Sequence, residues 1–263
     1  MGLYIGAAQS FWWAFLLPQG VLLVFLFTAL HECIHRTAFR TDWINDRLAD
    51  LLGAVVLLGA KHFRYFHMAH HRHTHDPEND PELAGGKPGS LYETLKYLSG
   101  VSDWTWRVRA LWSNALRENN DSYVPPRGRK AVMTEARTLL LFYALLAAIS
   151  FVAGTAVLFW VWLLPMVIGG PFLRAYLLAE HARCPHVADM FENTRTTYTT
   201  RLVRWIAWNM PYHAEHHAYP SVPFHKLPDL HALCSEYLKV TQDGYSAFTT
   251  DYVADAALGR LPE

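Results

Sequence analysis

Val21-Leu22-Leu23-Val24-Phe25-Leu26-Phe27-Thr28-Ala29-Leu30-His31-Glu32-Cys33-Ile34-His35 carries an apolar run straight into two imidazoles four residues apart. No charged residue occurs from Met1 to Leu30 or from Thr138 to Phe172, although charged residues make up 17% of the 263. Charge-free stretches of that length read as membrane spans. The first is interrupted by Pro18-Gln19-Gly20, a turn-like tripeptide, so a helical hairpin over 3–35 is expected, with arms Leu3–Leu17 and Val21–His35. It lacks a basic leader and runs into the histidine pair, so it reads as retained rather than as a cleaved signal. The second stretch predicts another hairpin over 138–178, bending at Gly154-Thr155. The apolar run 48–60 is too short to span and reads as a membrane-associated segment within the polar region 36–137. The expected fold is therefore an all-α integral membrane domain over 1–263. It has about four spans in two hairpins, capped by polar, histidine-rich helical segments that include 179–263.

Basic residues cluster between the hairpins, from Arg36 to Arg137, and after the second, from Arg174 to Arg204. The positive-inside rule places both regions, and with them every histidine block and the C-terminus, in the cytoplasm. A net charge of zero argues against a nucleic-acid partner. Three cysteines, Cys33, Cys184 and Cys234, are odd in number on that reducing side, so no disulfide is expected.

Histidine spacing carries the chemistry. His67-x-x-His70-His71 and His213-x-x-His216-His217 repeat one spelling, and residues i, i+3 and i+4 share a helix face, so each triplet aims three imidazoles at one point. His31 and His35 add an i, i+4 pair, and His181, at the end of the last span, is the counterpart of His31. Asn209 reads as the N-cap of a short helix bearing the last triplet, with Pro211 in its first turn and Pro220 as its stop. One zinc is saturated by four ligands, so eight or more converging imidazoles imply two metal ions and redox chemistry. Glu32, Asp80, Glu180 and Glu215, with His75 and Asn209, are the candidates for holding these rings from behind, because a ligating imidazole usually donates its other N–H to an oxygen. His73 points off the ligand arc, and His62, His186, His225 and His231 receive no role.

Two readings from other classes compete. His31-Glu32-Cys33-Ile34-His35 fits the H-E-x-x-H spelling of zinc proteases, which would leave the remaining clustered histidines unused. A metal carrier would instead face histidines across the spans, whereas these blocks lie outside them.

In their order and spacing the three blocks resemble the membrane fatty acid desaturase and hydroxylase superfamily. The stretch Tyr212 to Pro223, with Leu227-Pro228 after it, is similar to the desaturase version, and Asn193-Thr194-Arg195-Thr196-Thr197 to a stretch of bacterial members. The resemblance implies a non-haem di-iron site, two Fe with O2 as co-substrate, that removes hydrogen from a fatty-acyl chain or related lipophilic substrate. It carries the ligand role onto His31, His35, His67, His70, His71, His213, His216 and His217, with His181 completing the set. The same site inserting oxygen would make a lipid or carotenoid hydroxylase or ketolase. Neither a fused haem domain nor a glycine-rich nucleotide motif is visible, so electrons are expected from a separate ferredoxin, rubredoxin or cytochrome b5 type protein. A substrate tunnel would draw on Trp12, Trp13, Phe25, Phe27, Phe159, Trp160 and Trp162, which could equally face lipid or pack between helices; Arg174 is the candidate for a headgroup contact.

Overall fold

A computed structural model describes residues 11–261. Its helices, in chain order, are α1 (Leu16–His35), α2 (Asp42–Val55), α3 (Ala60–His73), α4 (Leu91–Leu98), α5 (Val101–Leu116), α6 (Pro126–Val152), α7 (Leu164–His181), α8 (Met190–Asn193), α9 (Arg201–Ile206), α10 (His213–Ala218), α11 (Leu227–Cys234) and α12 (Tyr245–Ala257). Two three-residue strands, β1 (Thr196–Tyr198) and β2 (Thr241–Asp243), pair in parallel, a small departure from the expected all-α fold.

Among the described residues three helical segments are long and apolar enough to cross a membrane: Trp12–His35, Pro126–Val152 and Phe159–His181. At ~1.5 Å per residue each exceeds the ~30 Å hydrocarbon core. Large apolar side chains stand exposed along α6, with Phe151 at 86% and Val152 at 85%, as on a lipid-facing surface.

The expected first hairpin is not formed within the described residues. Pro18-Gln19-Gly20 lies inside one continuous helix. Pro18 is the third residue of α1, where the backbone N–H has no α-helical partner to lose. Most of the arm assigned to Leu3–Leu17 lies outside the described residues. The second hairpin does turn at Ala153–Gly154, with Gly154 in the left-handed region, but α6 begins at Pro126 and α7 runs to His181, beyond the expected limits 138 and 178. The run 48–60 is no single element: it is the second half of α2, a break, and the first residue of α3. α2 buries Asn45, Ala49, Leu52 and Gly53 and exposes Trp43 and Leu51.

Gly20 and Gly169 bring α1 and α7 together. A Cβ added at Gly20 would stand 2.1 Å from the Pro165 carbonyl oxygen, and one at Gly169 would stand 2.3 Å from the Gly20 backbone. Pro165 cannot donate to Val161 four residues earlier, and Gln19 Nε2 donates to that carbonyl instead, across the helix pair. The two helices run parallel, and His31 and His181 follow the glycine contact by eleven and twelve residues, so both imidazoles emerge at one height. Gly169→Ala should destabilise the detergent-solubilised protein by about 1–3 kcal/mol, through overpacking against immovable backbone. Gly170→Ala, where the nearest neighbour is Trp104 Nε1 at 3.7 Å, should be neutral within error. Thermal melts of the two variants check this; equal melting temperatures would refute the close contact.

Candidate metal centre

α1, α3, α7 and α10 place nine buried or half-buried imidazoles in one region of the polar cap. They divide into two groups. His31, His35, His67, His71 and His216 each offer a nitrogen within 4.8 Å of the others, as do His70, His181 and His217. His213 joins the latter, its Nε2 being 3.2 Å from His181 Nε2. Nitrogens ~2.0–2.1 Å from one metal lie about 3 Å apart at right angles and about 3.4 Å apart at the tetrahedral angle. The separations His67–His71 at 2.9 Å, His70–His181 at 3.2 Å and His181–His213 at 3.2 Å match that spacing.

In the four-histidine group every back nitrogen faces an oxygen. His70 Nδ1 lies 2.9 Å from Asp80 Oδ1, His213 Nδ1 3.4 Å from Glu180 Oε1, and His181 Nδ1 3.5 Å from the Asn193 carbonyl. Thr74 Oγ1 donates to the His70 carbonyl and so accepts from His217 Nδ1 at 3.1 Å. With Nδ1 as donor in His70, His181 and His217, their Nε2 atoms present lone pairs to the centre, whereas His213 Nδ1 lies beside Glu180 without a hydrogen bond. His181 Nε2 is approached by His70 and His213 at once, and one nitrogen with one in-plane valence cannot hydrogen-bond both. A cation satisfies all of them.

The five-histidine group is marked by orphans. His31 Nδ1 and Nε2, His35 Nε2, His71 Nδ1 and both nitrogens of His216 are buried without a hydrogen-bond partner among the described residues. Buried polar atoms are rarely left so without an ion or water, so the residues of both groups fit metal ions. Burial, reinforced by the neighbouring imidazoles, pushes the pKa of His67, His71, His213, His216 and His217 well below the ordinary histidine range, which keeps the rings neutral and their lone pairs available.

The backing residues sort differently from the sequence expectation. Asp80 and Glu180 face ligand nitrogens as described. Glu32 instead accepts from the Phe224 backbone N–H at 2.9 Å and does not line the cavity beside the imidazoles, which leaves the protease reading without its general base. Glu215 bonds Thr196 and His231, fastening α10 to β1 and α11 rather than to a ligand ring. Asn209 is not the N-cap: α10 begins after Tyr212, and Asn209, at φ 56°, donates to the Phe224 carbonyl at 3.1 Å. It acts through Phe224, the residue that also holds Glu32. His75 is buried with its ring 5.5 Å from that of His181, and its backbone N–H donates to Asp80 at 2.9 Å. His73 leans out toward Asp76.

Sequence reasoning gave no role to Thr74, His231 or the buried run Asn193–Thr197. That run straps the site from behind: Asn193 donates to the Thr74 and Val187 carbonyls, and Arg195 N–H donates to the Glu180 carbonyl. The polar chemistry of Thr74 and Asn193–Thr197 at full burial is the signal, and burial is not visible in sequence.

A cavity of about 320 Å3 opens beside His31, His67, His70 and His213. Phe27, Leu58, Phe63, Phe66 and Met210 give it an apolar wall, and Lys87, Tyr97 and Arg174 a polar end. Of the aromatics considered for a tunnel, only Phe27 lines it: Phe25 packs against Tyr176, Trp162 donates to the Val55 carbonyl, and Trp13, Phe159 and Trp160 are exposed. Arg174 stacks on Tyr97 at 3.8 Å and approaches Asp103 at 3.7 Å. Burial raises the Glu82 carboxyl, but the adjoining Lys87 ammonium together with His70 and His181 outweighs it and holds the group well below the usual carboxylate range.

The sequence model described as fatty acid desaturase matches residues 10–249. A dihydrorhizobitoxine desaturase of Bradyrhizobium elkanii is 28% identical to the chain, covering 87% of it and 71% of the relative. The sphingolipid delta(4)-desaturase DES1 of Drosophila melanogaster is 25% identical, over 91% and 72%. The fatty acid conjugase FAC2 B of Calendula officinalis is 25% identical, over 81% and 64%.

His70→Ala and His216→Ala, one from each group, should each lower bound iron to about half or less and abolish turnover, with membrane insertion retained. His73→Ala should leave metal content near that of the parent. Elemental analysis of purified protein checks all three; parental iron in either of the first two variants would remove that residue from the ligand set.

Proposed function

The chain belongs to the fatty acid desaturase family, and from that premise we propose that it is a membrane-bound, O2-dependent di-iron oxidase that desaturates a fatty-acyl chain or a related lipophilic substrate. The observation that carries this reading is the inward convergence of nine buried or half-buried imidazoles in groups of five and four, next to an apolar-walled cavity. Imidazole suits several transition metals, so the ligand type alone does not select iron. Iron is the choice because the family chemistry is redox.

The bound irons would supply O2 activation and the oxidising power to remove two hydrogens from adjacent carbons. Everything else falls to the chain. His31, His35, His67, His71 and His216 would hold one metal, and His70, His181, His213 and His217 the other. Asp80, the Asn193 carbonyl and Thr74 would hold His70, His181 and His217 in the Nδ1–H tautomer and keep their rings from rotating, with Glu180 beside His213. Phe27, Phe63, Phe66 and Met210 would lay an alkyl segment along His31 and His67 and exclude water from the reacting carbon. Arg174, in the polar part of the cavity wall, would meet an anionic or polar headgroup and set which carbon reaches the metals.

Electrons would come from a separate donor protein of the ferredoxin, rubredoxin or cytochrome b5 type. The histidine-bearing cap would face the cytoplasm, consistent with the basic residues beside its helix ends.

The test is high-resolution mass spectrometry of lipophilic extracts from cells expressing the chain with a donor, against His216→Ala. A product lighter by two hydrogens is expected. A product heavier by one oxygen would move the enzyme to hydroxylation at the same site, and no difference from the variant would refute the oxidase reading for the substrates present.

A further inference from the structure

Three carboxylates stand close to the four-histidine group, and they differ in which nitrogen they face. Asp80 and Glu180 approach Nδ1 of His70 and His213, the nitrogens that point away from the centre. Glu82 approaches from the front: its Oε2 is 3.5 Å from His70 Nε2, the nitrogen whose lone pair points inward. An anionic oxygen opposite a lone pair is repulsive. His181 Nε2, 3.2 Å from the same nitrogen, adds another. A cation between Glu82 and His70 turns that repulsion into coordination, and an oxygen and a nitrogen on one metal at ~2.0–2.2 Å lie about 3–3.5 Å apart, which is the separation seen between these two.

We propose that Glu82 is a metal ligand, the fifth donor of the four-histidine group, so that one metal is held by five imidazoles and the other by four imidazoles and a carboxylate. This inference rests on the di-metal reading above and adds a residue to it.

The chain positions Glu82 for that role. Asp80 Oδ1 accepts both His70 Nδ1–H and the Glu82 backbone N–H, each at 2.9 Å, so one oxygen orients the histidine and the carboxylate together, across the rigid Pro81. Lys87 Nζ engages Glu82 Oε1 and leaves Oε2 free for the metal. Two-thirds of the Glu82 side chain is covered, and it lines the cavity with His70 and His213. A monodentate carboxylate steadied by an ammonium lowers the net charge of that metal position, while the five-histidine position keeps the full charge of its ion. The two metals are then electronically distinct, with the carboxylate-bound one the harder to reduce. The competing arrangement is a doubly protonated His70 clamped between Asp80 and Glu82, with no metal bond to Glu82.

The experiment uses the full chain in detergent, loaded anaerobically with 57Fe(II), and reads iron per chain, affinity by chelator competition, and the Mössbauer spectrum. The parent should bind two irons with two resolved quadrupole doublets. Glu82→Ala should retain one doublet unchanged, which also reports that the protein is folded, and lose or shift the other, with the second iron weakened at least tenfold. Added acetate should restore the altered doublet in Glu82→Ala, because a free carboxylate can refill a ligand position and cannot rebuild a tethered ion pair. Parental affinity and both doublets unchanged in Glu82→Ala would overturn the proposal, as would a loss that acetate leaves unaltered. A parent binding fewer than two irons would overturn the di-metal reading itself, and that failure is seen before any variant is made.

Discussion

Nine imidazoles packed into a region largely closed to water form an arrangement that ordinary protein forces do not sustain. Each neutral ring brings an acceptor lone pair as well as a donor. A group whose lone pairs all point inward has no internal hydrogen-bond solution. The inward direction is enforced where it can be traced: Asp80, the Asn193 carbonyl and Thr74 take the outer N–H of His70, His181 and His217 and leave lone pairs facing the centre. Replacing any one of these acceptors would let a ring flip or tautomerise and would remove a donor atom without touching a ligand.

The membrane helices serve this arrangement. α1 and α7 run parallel and touch through Gly20 and Gly169 with almost no side chain between them. That contact sets the height at which His31 and His181 emerge. The polar cap then folds down over them. The histidines sit at or near helix ends rather than mid-span, at the boundary between the apolar spans and the polar cap. The cavity wall joins phenylalanines beside His31 and His67 to the cationic groups Lys87 and Arg174.

Much of this was legible in the chain. Uncharged stretches and the i, i+3, i+4 histidine spacing depend on nothing beyond helix periodicity, and the structure brings all nine predicted histidines together. Features that depend on tertiary context were not legible. Pro18 looks like a turn and is harmless at a helix start. Asn209 looks like an N-cap and instead takes a left-handed conformation three residues before Tyr212, the residue that precedes α10. Four carboxylates beside histidines in sequence looked equivalent, yet Glu32 and Glu215 turn to Phe224 and His231, whereas Asp80 and Glu180 face ligand rings. Adjacency in sequence does not say which nitrogen of which imidazole a carboxylate will reach. Glu82 illustrates the converse: it sits twelve residues beyond His70 in a loop with no periodic signal, and only the folded chain brings it to the inner nitrogen.

The central claim is that these nine histidines form two metal positions. Anomalous diffraction at the iron absorption edge, from crystals of the iron-loaded protein, tests it most directly. The account predicts two peaks, one ringed by His31, His35, His67, His71 and His216 and the other by His70, His181, His213 and His217. A single peak, or density away from either ring, would contradict it.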